Sequence, residues 1–380
     1  MQLRLGMKHK YEHILVTGGA GFIGSFLVDE LIKKGYKVRI LDNLEDQVHF
    51  GKKPKYLNKK AQFIKGDVRN YLTFKNALRG MDAVFHLAAA VGVAQSNYEI
   101  NKYVGSNIGG TANLLDFLVN GKHQIKKLIV AASNTGLGEG NYNCPKCNIV
   151  RPPLREETQL KKNNWEPVCP NCARKLTPKP TTEESVESPN STYAITKKAQ
   201  QDMCLMIGKL YDIPTVATRF FNVYGPRQSL SNPYTGVAAI FINRLKNDQL
   251  VKVYEDGNQT RDFISVHDVI RALILALESN KANYQILNIG GGRATKIKDI
   301  AQILSNHLGK KNLIKISKQY RKNDIRHCFA DNNKAQKLLG WKPKVTLEEG
   351  FKELIKWSER EKAENSFGKA EKELKTKGLI

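Results

Sequence analysis

No stretch of the 380-residue sequence runs apolar for the roughly 18 residues that a bilayer crossing needs, so no spanning helix is predicted. Met1 to Lys10 also lacks the apolar core of a secretory signal. Acid is scarce: 36 Asp and Glu stand against 61 Lys and Arg, a formal charge of +25. Such an excess attracts polyanions, among them nucleic acid and phosphorylated small molecules. Yet the basic residues are scattered, as in Lys52-Lys53, Lys126-Lys127 and Lys310-Lys311, with no long single-sign run and no aromatic-interleaved stripe. A generally basic surface accounts for this better than a nucleic-acid footprint. Cysteine is sparse as well. Four of the six fall in two C-x-x-C pairs, which suits a metal site in the cytoplasm better than a disulfide framework. The expected location is cytoplasmic, with no membrane partner.

What is present begins with Thr17-Gly18-Gly19-Ala20-Gly21-Phe22-Ile23-Gly24. The apolar run His13-Ile14-Leu15-Val16 before it has the length of a buried strand, and Phe22 to Lys34 has near-helical apolar spacing. Strand, glycine turn and helix together predict a dinucleotide site. Gly18, Gly21 and Gly24 let the backbone approach a pyrophosphate, and the helix start at Phe22 and Ile23 offers free N–H groups. A second strand, Lys37–Leu41, ends in Asp42, 18 residues beyond Gly24. A carboxylate there accepts from ribose hydroxyls and repels a 2′-phosphate, which favours NAD over NADP. Further strands at 62–64, 83–87 and 127–131 alternate with helices at 71–78 and about 101–119. That alternation predicts a parallel, doubly wound α/β sheet.

Ser133 lies just past the 127–131 strand, where such sheets place their ligands. Tyr193 and Lys197 stand four residues apart, on one face of a helix. An ammonium near a phenol stabilises its anion, so the pair predicts a tyrosine poised to move a hydroxyl proton while hydride travels to or from a nicotinamide.

With these motifs the chain resembles the extended short-chain dehydrogenase/reductase family, the nucleotide-sugar epimerases and dehydratases. The resemblance runs from about Tyr11 to Trp357. It rests on Thr17–Ser25, Leu41-Asp42-Asn43, Gly66-Asp67-Val68, His86-Leu87-Ala88-Ala89, Tyr193–Lys197, 219–226 and Arg261-Asp262-Phe263-Ile264. It implies a Rossmann-type fold with a smaller C-terminal substrate domain, and Ser133, Tyr193 and Lys197 as the catalytic trio. Asn43, Asp67, Val68, Leu87, Ala88 and Ala89 join the glycines and Asp42 as implied NAD contacts. Asn222 is implied to touch the sugar nucleotide, and Arg261 and Arg321 its diphosphate, with Asp324, or Arg326 beside it, as a further candidate. A homodimer through the helices near 101–119 and 193–211 is implied as well.

Between Ser133 and Tyr193 lie 59 residues (134 to 192), more than this family needs. They carry Cys144-Pro145-Lys146-Cys147 and Cys169-Pro170-Asn171-Cys172. Two such knuckles can present four thiolates to one structural zinc, in a stretch too poor in apolar residues to build its own core. Two disulfides or free thiols are the alternatives. The insertion, with 41–49, Trp165-Glu166-Pro167, 231–237 and 326–331, narrows the resemblance to epimerases that interconvert dTDP-L-rhamnose and dTDP-6-deoxy-L-talose. One departure is Leu137, where such proteins carry tyrosine.

The expected organisation is a Rossmann domain at 10–221, to which about 259–291 return, and a zinc-ribbon insertion at 140–180. A substrate domain at 222–258 and 292–360 and a flexible tail at 361–380 complete it. Gly290-Gly291-Gly292 is read as a loop near the substrate and not as a second phosphate loop. A dehydratase needs an acid pair after the catalytic hydroxyl, and Asn134 and Thr135 stand there instead. The expected activity is therefore C4 epimerisation with retained NAD. The alternatives are another nucleotide-sugar epimerase, a net dehydrogenase or reductase, or an idle NAD-type fold that binds RNA.

Overall fold

The computed structural model describes residues 10–363 and 367–379. Met1 to His9, which hold most of the segment without a leader core, lie outside the described residues, as do 364–366 and 380 of the tail.

Seven parallel strands form the central sheet, in the order Gln285–Ile289, Thr215–Phe220, Lys127–Ser133, Ala83–His86, His13–Thr17, Lys37–Asp42 and Gln62–Lys65. Successive strand residues point to opposite faces, and each face has its own apolar core. On one side Ile14, Val16, Phe85, Ile129 and Leu287 pack against Leu27, Val28 and Leu31 of helix Phe22–Lys33 and against helix Val266–Glu278. On the other, Leu15, Leu41, Val84, Leu128 and Val130 meet Phe74, Leu114, Phe117 and Cys204 of three further helices. Each buried Leu, Ile or Phe contributes at most about 1.5–3 kcal/mol. The helix that begins at Ile100 passes through a π-helical stretch at Val104–Gly109 before continuing as Gly110–Asn120.

A smaller core joins Ile242 and Leu245 of Val237–Lys246, Ile300 and Leu304 of Ile297–His307, and Phe351 and Leu354 of Leu347–Glu359. A reciprocal capping box starts the last of these: Thr346 Oγ1 accepts from Glu349 N at 3.3 Å, and Glu349 accepts from Thr346 N at 2.9 Å. The sheet's carboxyl ends face this smaller unit.

Phe367–Thr376 is a helix with Phe367, Ala370 and Leu374 buried. Its few apolar residues fall on one face, which is enough to dock it. Glu371 pairs with Lys252 at 2.6 Å and Arg244 at 3.4 Å, and Glu373 accepts from the Tyr234 hydroxyl at 2.8 Å.

Candidate active site

The glycine loop is closed by steric necessity. A Cβ on Gly24 would stand 2.1 Å from the Gly18 carbonyl oxygen, and one on Gly18 (φ +70°) 2.9 Å from Ala88 N. Helix Phe22–Lys33 starts at Gly21 with no side-chain cap and no acid in its first turn, which leaves its leading amides open to an anion. Asp42 is buried. Its Oδ2 accepts from Ala20 N at 3.0 Å and its Oδ1 from Leu44 N at 2.9 Å, which anchors the carboxylate while lone pairs remain for hydroxyl donors. Asp67 is committed elsewhere, to Arg69 at 2.7 Å and Asn43 at 3.0 Å. Burial pushes its carboxyl up, but those bonds prevail and hold it below the ordinary range. Val68 packs on Gly110, where a Cβ would meet it at 2.5 Å. Phe22, Ile23, Leu87, Ala88 and Ala89 are half-buried around the loop.

Ser133 ends its strand, and its Oγ accepts from Thr135 N at 3.3 Å and Thr135 Oγ1 at 3.0 Å. With two donors served, its own proton is directed elsewhere. Tyr193 sits in the first turn of helix Thr192–Leu210, whose start Ser191 caps. Its amide donates to Ser96 Oγ at 2.9 Å, and the Tyr103 ring lies edge-on at 6.3 Å. Ser133 lies beside the Tyr193 phenol and acts to lower its pKa.

The charge balance differs from the expected one. Burial pushes the Tyr193 phenol up to about 12, and Ser133 offsets only part of that. Burial also pushes Lys197 down to about 7. The ammonium turns to Gln200, which donates in turn to Thr111 Oγ1 at 2.8 Å. Thr111 meets His86 Nε2 at 3.1 Å, and His86 Nδ1 meets Thr17 Oγ1 at 2.9 Å. Burial drives His86 down to about 3, so it is neutral. Thr111 Oγ1 gives its own proton to the Asn107 carbonyl at 2.6 Å, so the imidazole proton sits on Nε2 and Thr17 Oγ1 donates to Nδ1. A buried polar chain thus joins the lysine to the strand that opens the glycine loop.

On the opposite side, Asn222 Oδ1 is buried without a partner among the described residues, the state of an acceptor that awaits a ligand. The Arg321 guanidinium lies 4.4 Å above the Tyr254 ring. Arg261 donates to Asp324 Oδ1 at 2.7 Å and to the carbonyl of Ile325 at 2.8 Å. Asp324 is therefore turned to Arg261. Arg326 is enclosed by Glu166, Glu255 and Asp256, so its guanidinium is unavailable to a ligand. The glycine run at 290–292 spends its amides within the protein, with Gly291 N and Gly292 N donating to buried Asp262 at 2.6 and 3.0 Å. Leu137 is fully buried, in a cluster with Phe221, Ile325 and Cys328.

Residues 14–162 match the NAD dependent epimerase/dehydratase family, and residues 175–354 match GDP-mannose 4,6 dehydratase. A dTDP-L-rhamnose 4-epimerase of Burkholderia thailandensis is 33% identical over 355 residues, 92% of this chain and 95% of that protein. The chain belongs to the NAD-dependent epimerase/dehydratase family. Within it, a UDP-glucuronate 4-epimerase of Thermodesulfobacterium geofontis is 32% identical, over 91% of this chain and 96% of its own. The crystal structure of a Bacillus cereus UDP-glucuronic acid 4-epimerase, in complex with UDP-glucuronic acid and NAD, superposes with a TM-score of 0.75. It is 29% identical, over 92% of this chain and 99% of that one.

Between Ser133 and Tyr193 the fold carries a cysteine-bearing segment. Strand Asn141–Cys144 pairs antiparallel with Asn148–Val150 and Thr177–Lys179. Their small core is Tyr142, Val150 and the cysteines themselves. The four Sγ atoms lie within 4.8 Å of one another, and all six cysteines are free thiols. Thiolates placed tetrahedrally about 2.3 Å from one zinc would stand roughly 3.8 Å apart, so the donor set and its spacing suit that ion.

Reading the sequence for this family's motifs misses Thr135, Gln200 and Asn107. Asn107 clamps the alanine segment, accepting from Ala90 N at 2.8 Å and donating to Ala90 O at 3.1 Å. Its one sequence signal is a polar residue on an otherwise core-facing helix, which is indistinct without the fold.

Proposed function

We propose that this protein is an NAD-dependent epimerase that inverts C4 of a nucleotide-linked hexose, converting dTDP-L-rhamnose to dTDP-6-deoxy-L-talose. The observation that carries the reading is the placing of Ser133, at the end of its strand, beside Tyr193, with Lys197 one turn on along the same helix. Bound NAD would supply the hydride acceptor and return the hydride to the other face of the 4-keto sugar. Gly18, Gly21 and Gly24 would admit its pyrophosphate and Asp42 would hold its ribose. Tyr193 takes the C4 hydroxyl proton, and Ser133 turns its free proton to the same oxygen. Lys197 binds the nicotinamide ribose. Asn222, Arg261 and Arg321 take the sugar nucleotide.

Asn134 and Thr135 leave no acid pair beside Ser133, which supports epimerisation over dehydration. The dTDP-linked sugar is supported by the Burkholderia relative. A single structural zinc on Cys144, Cys147, Cys169 and Cys172 is supported by the sulfur spacing. Four protein ligands leave it no open position for chemistry. A homodimer is supported by the exposed Ile100, Val104, Ile195, Met206 and Leu210 on the two long helices.

The test is incubation with a panel of nucleotide sugars followed by separation of C4 epimers. The expected result is an equilibrium mixture of the dTDP-linked pair without NADH accumulation. Stoichiometric NADH would make the protein a dehydrogenase.

A further inference from the structure

Arg261 does not hold itself in place. Besides Asp324 and the Ile325 carbonyl, it donates to the carbonyls of Thr260 at 2.9 Å and Arg326 at 3.2 Å. Its aim is therefore set by the backbone of 324–326, and that backbone is gripped from the other side by the cysteine insertion and its root. Glu139, 3% exposed, accepts from Arg326 N and from His327 N, each at 2.7 Å. The Tyr142 hydroxyl donates to the same carboxylate at 2.6 Å, and Tyr142 lies on the strand that ends in Cys144. Arg155, between the two knuckles, donates to the Asp324 carbonyl at 3.1 Å. Its guanidinium is fixed by a bidentate, buried pair with Glu255 at 2.8 and 2.9 Å and by the Trp165 carbonyl at 2.9 Å.

We propose that Glu139 and Arg155 are positioning residues through which the insertion aims Arg261 at the substrate's diphosphate. The proposal rests on the reading of Arg261 as a diphosphate ligand and extends it to residues that touch no substrate. Both terminal nitrogens of Arg261 are spent on these four partners, so what it offers an anion is its Nε–H and its charge, and the placement of both depends on what orients the side chain. Here the orienting groups are three consecutive backbone units, and each is tied to the insertion or its root by a charged partner. Bonds of that kind are the strong ones. The arrangement also explains why a segment with so little core is docked by a buried ionic network: specific geometry matters more at this contact than bulk stability.

The experiment uses the full chain and two probes, dTDP for the substrate side and NAD for the cofactor side. Glu139→Gln keeps the shape but sets an amide N–H₂ against a backbone donor. It is expected to weaken dTDP binding about tenfold while NAD affinity stays within about twofold. In turnover the same variant raises KM and leaves kcat near wild type. Arg155→Lys, which keeps the charge and loses the fork, is expected to do the same. Should Glu139→Gln not fold, Tyr142→Phe removes only the hydroxyl that orients Glu139, and is expected to weaken dTDP a few-fold and NAD not at all. Unchanged dTDP affinity in these variants, or equal losses for dTDP and NAD, would overturn the positioning role. Wild-type protein that binds NAD but not dTDP or UDP would instead overturn the diphosphate reading of Arg261, and this proposal with it.

Discussion

Lys197 donates to the side-chain oxygen of Gln200, three residues along the same helix, and both side chains are buried. The amide therefore supplies the lysine with an acceptor and, through its Nε2, ties it to Thr111. Replacing Gln200 with leucine leaves the ammonium without that acceptor and removes one of the two donors to Thr111. The expected cost is about 1–3 kcal/mol of stability at neutral pH, read from urea denaturation. An unchanged midpoint would show that water replaces the amide at no cost.

The burial of Lys197 also predicts a pH dependence. Its folded value, about 7, lies below the ordinary lysine value of 10.5, so between them the unfolded chain binds more protons. Stability should then rise with pH across that window, by at most about 2–3 kcal/mol between pH 7 and 9. Lys197→Met should be more stable than wild type at pH 7 and should lose this share of the slope. Denaturation curves at the two pH values decide it, since Lys127, pushed down to about 8, contributes equally to both proteins.

Gly24→Ala places a methyl group 2.1 Å from the Gly18 carbonyl. The loop must open to relieve the overlap, and NAD binding should weaken by about 1–3 kcal/mol, roughly ten- to hundredfold. Gly368→Ala, whose added Cβ meets nothing within 4 Å, is the control and should bind NAD as wild type does.

Elemental analysis of the purified chain should find one zinc per molecule, and Cys169→Ser should reduce it. Because metal affinity is folding energy for a segment with a core this small, the variant should become sensitive to proteolysis at the insertion. Protease resistance unchanged in metal-free protein would count against a structural ion.

Much of the site is legible in the chain order of residues. The glycine loop, Asp42, Ser133 and the Tyr193–Lys197 spacing are local patterns, and each states its chemistry because strand, turn and helix follow from neighbouring residues. The paired knuckles are legible for the same reason. What local pattern could not supply is the balance of forces where distant segments meet. Lys197 was expected to draw the Tyr193 proton away, yet burial raises the phenol and lowers the lysine, and the ammonium turns to Gln200. Asp324 and Arg326 look alike as anion-site candidates, but one serves Arg261 and the other is enclosed by carboxylates of the insertion and of 255–256. The tail reads as loose because its apolar residues are few, and only the surface it meets decides that they suffice. Sequence by itself determined the elements and the reacting groups, since both depend on residue type and spacing. Tertiary structure alone decided which charges are free, because desolvation and pairing depend on every segment that packs around them.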